Sequence, residues 1–162
     1  MNSRIIKSNT LLLAGQKTTM SLSDNKTLEL WQGFMPVIKG VKELGGTELY
    51  SVEIYPEDYF SYFSPHKEFE KWAAAPVKDA FEPDGSLKVL EIQAGLYAVF
   101  HYKGKSSEAH KAYQYIFEEW MPASGYEVDN RPHFAVMGEK YRNDHPDSEE
   151  ELWVPIKKSA LL

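Results

Sequence analysis

The spacing of apolar and polar positions changes several times along the 162-residue chain, and each change marks an element. The opening stretch, "RIIKSNTLLLAGQKTTMSL", reads as extended chain broken near Ser8 and Asn9. After the polar "SDNK", the residues Leu30, Trp31, Phe34, Ile38 and Val41 recur at helical spacing from about Thr27. Ser23 or Asp24 is the expected N-cap, and Pro36 is expected to end or kink the helix. "LYSVEIY" at 49–55 and "FEKWAAAPV" at 69–77 read as strands, separated by the loop "PEDYFSYFSPHKE". "EPDGS" then supplies turn chemistry.

The second half runs in the same order. "LKVLEIQ", Gly95 and "LYAVFHYKG" form a broken strand. "KSSE" then leads into a helix with Ser106 or Ser107 as expected N-cap and Glu108 in its first turn. The buried face of that helix is expected at Ala109, Ala112, Tyr113, Ile116, Phe117 and Trp120, with Pro122 as its stop. Past "SGYEVDNRP", the segments "HFAVMGEKY" and "EELWVPIK" read as two more strands. Anchors repeat as well: "FMP" at 34–36 with "WMP" at 120–122, and "EKW" ending at Trp72 with "ELW" ending at Trp153. The fold class expected is α+β, a strand-helix-strand-strand module used twice within one domain over 1–162, with module one at about 1–80 and module two at about 86–158. A single module cannot bury its sheet face alone. Two related by a pseudo-twofold can, and their junction forms a cleft in which Trp72 and Trp153 are expected to face each other.

Composition narrows the function classes. Lys plus Arg is 18 against 24 for Asp plus Glu, a formal net charge of −6, and no basic stripe tracks phosphates, which argues against direct nucleic-acid binding. With no cysteine there is no disulfide, thiolate nucleophile or thiolate metal site. The five histidines show no two-ligand spacing, and neither a phosphate loop nor a nucleophile elbow is present, so no metal and no cofactor are expected. "LLLA" is too short for a membrane span or signal core, and a soluble cytoplasmic protein is the expectation. Aromatic residues make up 14%, more large rings than a minimal core requires.

At "GLYAVFHYKG", "YQYIFEEWMPASGYEVDNRPHF" and "GEKYRNDHPDSEEELWVPIK" the chain resembles the GyrI-like family, the effector-binding domain also found in AraC-type and Rob-type regulators. "TMSLSDNKTLELWQGFMP" and "LYSVEIY" extend the resemblance to stand-alone members. The resemblance implies a concave antiparallel sheet with two helices on one side and a central pocket for hydrophobic, often cationic, aromatic small molecules. Regulators add a helix-turn-helix segment, for which the two repeats leave no room in this chain. Members described as drug or toxin binders, as a gyrase modulator and as hydrolases of cyclopropane-containing toxins keep three readings open. These are a binding module, a hydrolase, and a protein-interaction module acting on gyrase or a transcription factor.

In some members, tryptophans at positions like Trp72 and Trp153 sandwich a flat ligand, so the resemblance makes this pair the leading ligand-binding candidates, set against the reading of both rings as ordinary core residues on equivalent strands. Tyr97, Phe100 and Tyr141 are expected as pocket aromatics, any of which also suits a core. Many relatives carry an acid where this chain has Ala135, which weakens both a cation preference and acid-base chemistry. Glu139 is the possible substitute, set against a solvated strand end past Gly138, while Glu53 and Glu91 are expected to be solvent-facing. The rings of "YFSYF" at 59–63 suit a lid, an interface or a loop packed down by its own side chains.

Overall fold

Strand β1 (Ser3–Ser8) is followed by β2 (Leu11–Met20) after only two residues, yet the two strands lie near opposite ends of the sheet. The same holds for β5 (Lys88–Ile92) and β6 (Gly95–Lys103). In this computed structural model, which describes residues 1–160, the strand order is β1-β6-β9-β8-β3-β4-β2-β5. It is completed by β3 (Leu49–Ile54), β4 (Phe69–Pro76), β8 (His133–Met137) and β9 (Glu149–Lys158), and every pairing is antiparallel. Short β7 (Tyr126–Val128), absent from the sequence reading, pairs with β9 at Ile156–Lys158. Three residue steps span at most roughly 11 Å. The two ends of the sheet must therefore meet, and the sheet curls.

The order is symmetric about the β8/β3 junction. Strands β2, β3 and β4 with the first helix form one half, and β6, β8 and β9 with the second helix form the other. Each half's leading strand crosses over: β1 pairs with β6, and β5 with β2. One row of register pairs shows the symmetry residue by residue, as Trp72 pairs with Val52, Val52 with Phe134, and Phe134 with Trp153. Leu13, Val52, Trp72, Ile92, Tyr97, Val99 and Phe134 fill the inside of the curl as one buried cluster. It draws on β2, β3, β4, β5, β6 and β8, as only a curled sheet allows.

Both helices cover the outer face. Helix α1 (Thr27–Ile38) lays Leu30, Phe34 and Ile38 on Ala73 and Ala75 of β4, whose small side chains let the helix approach. Phe34 is fully buried, worth roughly 1.5–3 kcal/mol. Pro36 does not end α1, which runs two residues further. The expected N-caps also differ: Lys26 occupies the cap position, Asn25 Oδ1 accepts from the Thr27 N–H at 3.0 Å, and Ser23 hydrogen-bonds His66 instead.

The second helical segment starts with a 3-10 turn at Ser106–Glu108, continues as α2 (Ala109–Tyr115), widens into a π turn (Ile116–Trp120) and finishes as α3 (Met121–Ser124). Pro122 therefore lies inside the segment. Its nitrogen carries no hydrogen for a carbonyl one turn back, and the wider π turn immediately before it absorbs the lost bond. Gly125, in the left-handed region at φ 81°, is the stop. Neither Ser106 nor Ser107 caps with its side chain; Asp144 Oδ1 accepts from the Ser107 N–H at 3.2 Å and from its hydroxyl at 2.7 Å. Ala112, Ile116 and Met121 pack on Ala98, Phe100, Leu152 and Val154. Among the described residues no helix is long and apolar enough to cross a membrane.

Where β2 crosses β4, Gly15 lies opposite Ala74, and a Cβ at Gly15 would stand 2.9 Å from the Ala74 Cβ and closer still to the Ala73 carbonyl oxygen. Gly15→Ala is expected to push these strands apart and cost about 1–3 kcal/mol, read as a lower urea midpoint at unchanged m-value.

Candidate functional site

Alternation along β3 sends Tyr50 and Val52 into the curl and Ser51 and Glu53 to the helix side. On β4 the same rule sends Phe69 and Lys71 to the helix side, next to Glu53, with Lys71 as its register partner. Here the two helices stand apart and leave a cavity of about 670 Å³, within the usual range for small-molecule sites. Thr27 lines it from α1, His110, Tyr113 and Phe117 from the second helical segment, Met20, Glu53, Phe69 and Lys71 from the sheet, and Tyr55 from just past β3. The loop between β3 and β4 supplies Tyr59, Phe60, Tyr62 and Phe63.

Edge and stacked ring contacts build these walls. Tyr55 lies 4.4 Å from Tyr59, 5.0 Å from Phe69 and 4.9 Å, edge-on, from His133. Phe60 stacks on His133 at 5.5 Å and reaches Phe117 at 5.4 Å, which ties the loop to the second helical segment. Lys67 holds the loop's backbone: its ammonium donates to the carbonyls of Asp58, Tyr59 and Tyr62 at 3.0, 2.9 and 2.8 Å and sits 3.5 Å over the Tyr62 ring. Tyr62 and Phe63 remain 65% and 80% exposed at the mouth. The "YFSYF" rings thus both pack down and form a wall.

Glu53 corrects the sequence reading. It is not solvent-facing; its side chain is 13% exposed, and Lys71 Nζ stands 3.5 Å from Oε1. Its other oxygen, Oε2, is buried with no hydrogen-bond partner. Burial pushes the Glu53 carboxyl up, and the Lys71 ammonium pulls it back. Glu150 is raised to about 7, first by burial and then by the charge of Glu53, with Lys71 opposing. Burial also lifts the Tyr55 and Tyr113 phenols well above their usual value, so both keep their protons as donors. His133, the register partner of Glu53 across β3/β8, is lowered to about 3 by burial and then by Arg131.

The residues singled out from sequence lie elsewhere. Trp72 and Trp153 share the twofold row but face the inside of the curl, with Val52 and Phe134 between them. Phe134 stacks on Trp153 at 5.1 Å, and the indole N–H of Trp153 donates to Glu151 at 3.3 Å. The indole nitrogen of Trp72 is buried without a partner. Tyr97 lies in the same interior and donates to the Pro132 carbonyl at 2.9 Å, with Arg131 over its ring at 4.8 Å. Phe100 is buried under the second helical segment, edge-on to Trp120 at 5.0 Å. Tyr141 pairs with the Ser106 hydroxyl at 3.1 Å, and Glu139 is exposed in the turn past β8. None of the six lines the 670 Å³ cavity.

A signal for Glu53 did exist. Val52 and Phe134 are twofold mates, so the next residues, Glu53 and Ala135, are mates as well, both on the helix side. The acid expected at Ala135 stands at the equivalent position of the other half. The two sequence anchors differ in offset, 86 for "FMP" with "WMP" and 81 for the tryptophans, and the latter leads from Ala135 to Ile54; only the register, with its offset of 82 between Val52 and Phe134, selects Glu53.

A second concavity of about 520 Å³, between the N terminus, β6 and α2, is open, and none of the buried unpartnered polar atoms belongs to its walls. Among the described residues no cluster of three or more His, Asp or Glu side chains could hold a metal ion.

Comparison with known proteins gives the same picture of the fold. The family model described as the GyrI-like small molecule binding domain matches residues 1–157. The transcriptional regulator BrlR of Pseudomonas aeruginosa is 24% identical over 160 residues; the match takes in 96% of this chain but only 56% of that protein. The C-terminal domain of EcmrR superposes with a TM-score of 0.71 at 17% identity, covering 98% of each chain. SAV2435, solved bound to tetraphenylphosphonium, superposes with a TM-score of 0.69 at 16% identity, covering 97% of this chain and 94% of its own.

A His held neutral in the fold but free to protonate when unfolded destabilises the fold in acid. The contribution of His133 is fully present above pH 6.5 and is lost as pH falls toward 3, at up to about 1.4 kcal/mol per pH unit. His133→Phe should therefore lose less stability than the parent between pH 7 and pH 5, by roughly 2 kcal/mol, as measured by paired thermal melts.

Proposed function

Because the chain belongs to the family of GyrI-like small molecule binding domains, we propose that it binds an amphipathic aromatic compound, cations included, in the cavity between its two helical segments. The observation that carries this reading is the Glu53 carboxyl group. A buried carboxyl oxygen with no partner costs several kcal/mol as an ion, a cost that falls when a ligand brings a positive charge or a hydrogen-bond donor to it. The walls suit such a ligand. Tyr55, Tyr59, Phe60, Tyr113 and Phe117 offer ring faces and edges, each worth roughly 0.5–2 kcal/mol against a desolvated flat cation.

The cavity, rather than the pair of tryptophans, is the site we favour, because a ligand can enter it without opening the packed interior around Phe134. The structure of SAV2435 with tetraphenylphosphonium supports the class of ligand, an apolar aromatic ion. The exposed Tyr62 and Phe63 at the mouth give that ligand an apolar approach.

Titration calorimetry with tetraphenylphosphonium tests the reading. Glu53→Gln and Phe117→Ala should each weaken binding about tenfold, and unchanged affinity in both would sink the assignment. Glu150 and Glu53 both carry raised pKa values, and an incoming cation favours their ionised forms. Affinity should therefore rise with pH through about 7, roughly two- to tenfold from pH 6 to pH 8, and Glu150→Gln should flatten that rise.

A further inference from the structure

Glu53 is not alone on the cavity floor. Lys71 lines the same cavity, its side chain is only 11% exposed, and among the described residues its one ion-pair partner is Glu53, at 3.5 Å. An ammonium has three hydrogens to donate, and a buried one is retained at low cost only when they are taken up. Glu53 meets one of them at long range and still has a free oxygen of its own. The two ions oppose one another, with the Glu150 carboxyl close enough to interact with both, and Glu53 Oε2 and the Lys71 ammonium keep capacity for a further partner.

Such a floor is not simply anionic. It presents an acceptor and a donor of opposite charge side by side, under a canopy of rings. We propose that Lys71 is a second polar contact of this site, so that the cavity takes aromatic ligands that carry a cationic or donor group together with a neighbouring anionic or acceptor group, zwitterions foremost. This inference rests on the proposed binding cavity and deepens it. A ligand of this kind satisfies Glu53 Oε2 and the Lys71 ammonium together. A pure cation satisfies only the first and is repelled by the second.

Rhodamine B and its ethyl ester are suitable probes, because esterification removes the carboxylate of the zwitterion and leaves the cationic xanthene unchanged. Fluorescence anisotropy with the full chain should show the parent binding the zwitterion at least as tightly as the ester. Lys71→Met should shift the affinity ratio toward the ester by roughly tenfold, since an anionic group then meets only acids, Glu53 with Glu150 nearby. Glu53→Gln should weaken both dyes and shift the ratio toward the zwitterion, which decides the matter if Lys71→Met does not fold. A ratio that neither variant moves overturns the role of Lys71 while leaving the cavity intact. Failure of both dyes to bind the folded parent, or binding that Phe117→Ala leaves unchanged, instead overturns the cavity assignment on which this inference rests.

Discussion

Two links of two residues each, Asn9–Thr10 and Gln93–Ala94, carry the chain from one end of the sheet to the other. A flat sheet of eight hydrogen-bonded strands would be several times wider than such a link can reach. The sheet must curl, and the inner face becomes a closed interior that needs no helix to cover it. Large rings suit that interior, and Tyr97, Phe134, Trp72 and Trp153 pack there in contact with aliphatic residues from both halves. The helices are left to the outer face, where each covers its own half of the sheet.

The cavity follows from this division. Each helical segment buries its own apolar stripe, α1 on Ala73 and Ala75 and the second segment on Phe100 and Leu152, and neither covers the outer face between those patches. Residues on that uncovered floor face a space walled by rings rather than bulk water. A charge there must be paired, and Glu53 with Lys71 is a pair assembled from adjacent strands. Its imperfect geometry, one long contact and one free oxygen, suits a site awaiting a third participant better than a finished structural ion pair. The loop of Tyr59 to Phe63, pinned by Lys67, closes the side toward the second half.

Most of the elements were legible from period and punctuation. The breaks at Ser8 and Asn9 and before Gly95, the start of α1 at Thr27 and the strands at Leu49, Phe69, His133 and Glu149 all follow from alternation and turn residues. Short β7 was missed because three residues carry no period of their own. The prolines were weaker signals than they read: Pro122, expected as a stop, follows a π turn that absorbs the missing bond, and Pro36, expected to end or kink α1, does not end it. The caps shifted because Asn25 and Asp144 supply what Ser23, Ser106 and Ser107 were expected to give, and Asp144 does so from far along the chain.

The site was harder to read, since alternation tells which residues share a face but not what covers that face. From the sequence alone, Glu53 between Val52 and Ile54 looks like the solvated member of a half-buried strand, and Trp72 and Trp153 look like paired cleft residues. Local pattern by itself determined the strands other than β7, the two helical segments, the duplication and the absence of thiol chemistry, because these depend on neighbours within a few residues or on composition. Only the tertiary structure decided that the sheet curls, that the tryptophans lie inside it, and that an acid and a lysine meet beneath the aromatic loop. Those outcomes depend on strand order and register, which bring residues from β3, β4 and the second helical segment to one place, and no periodicity along the chain encodes that convergence.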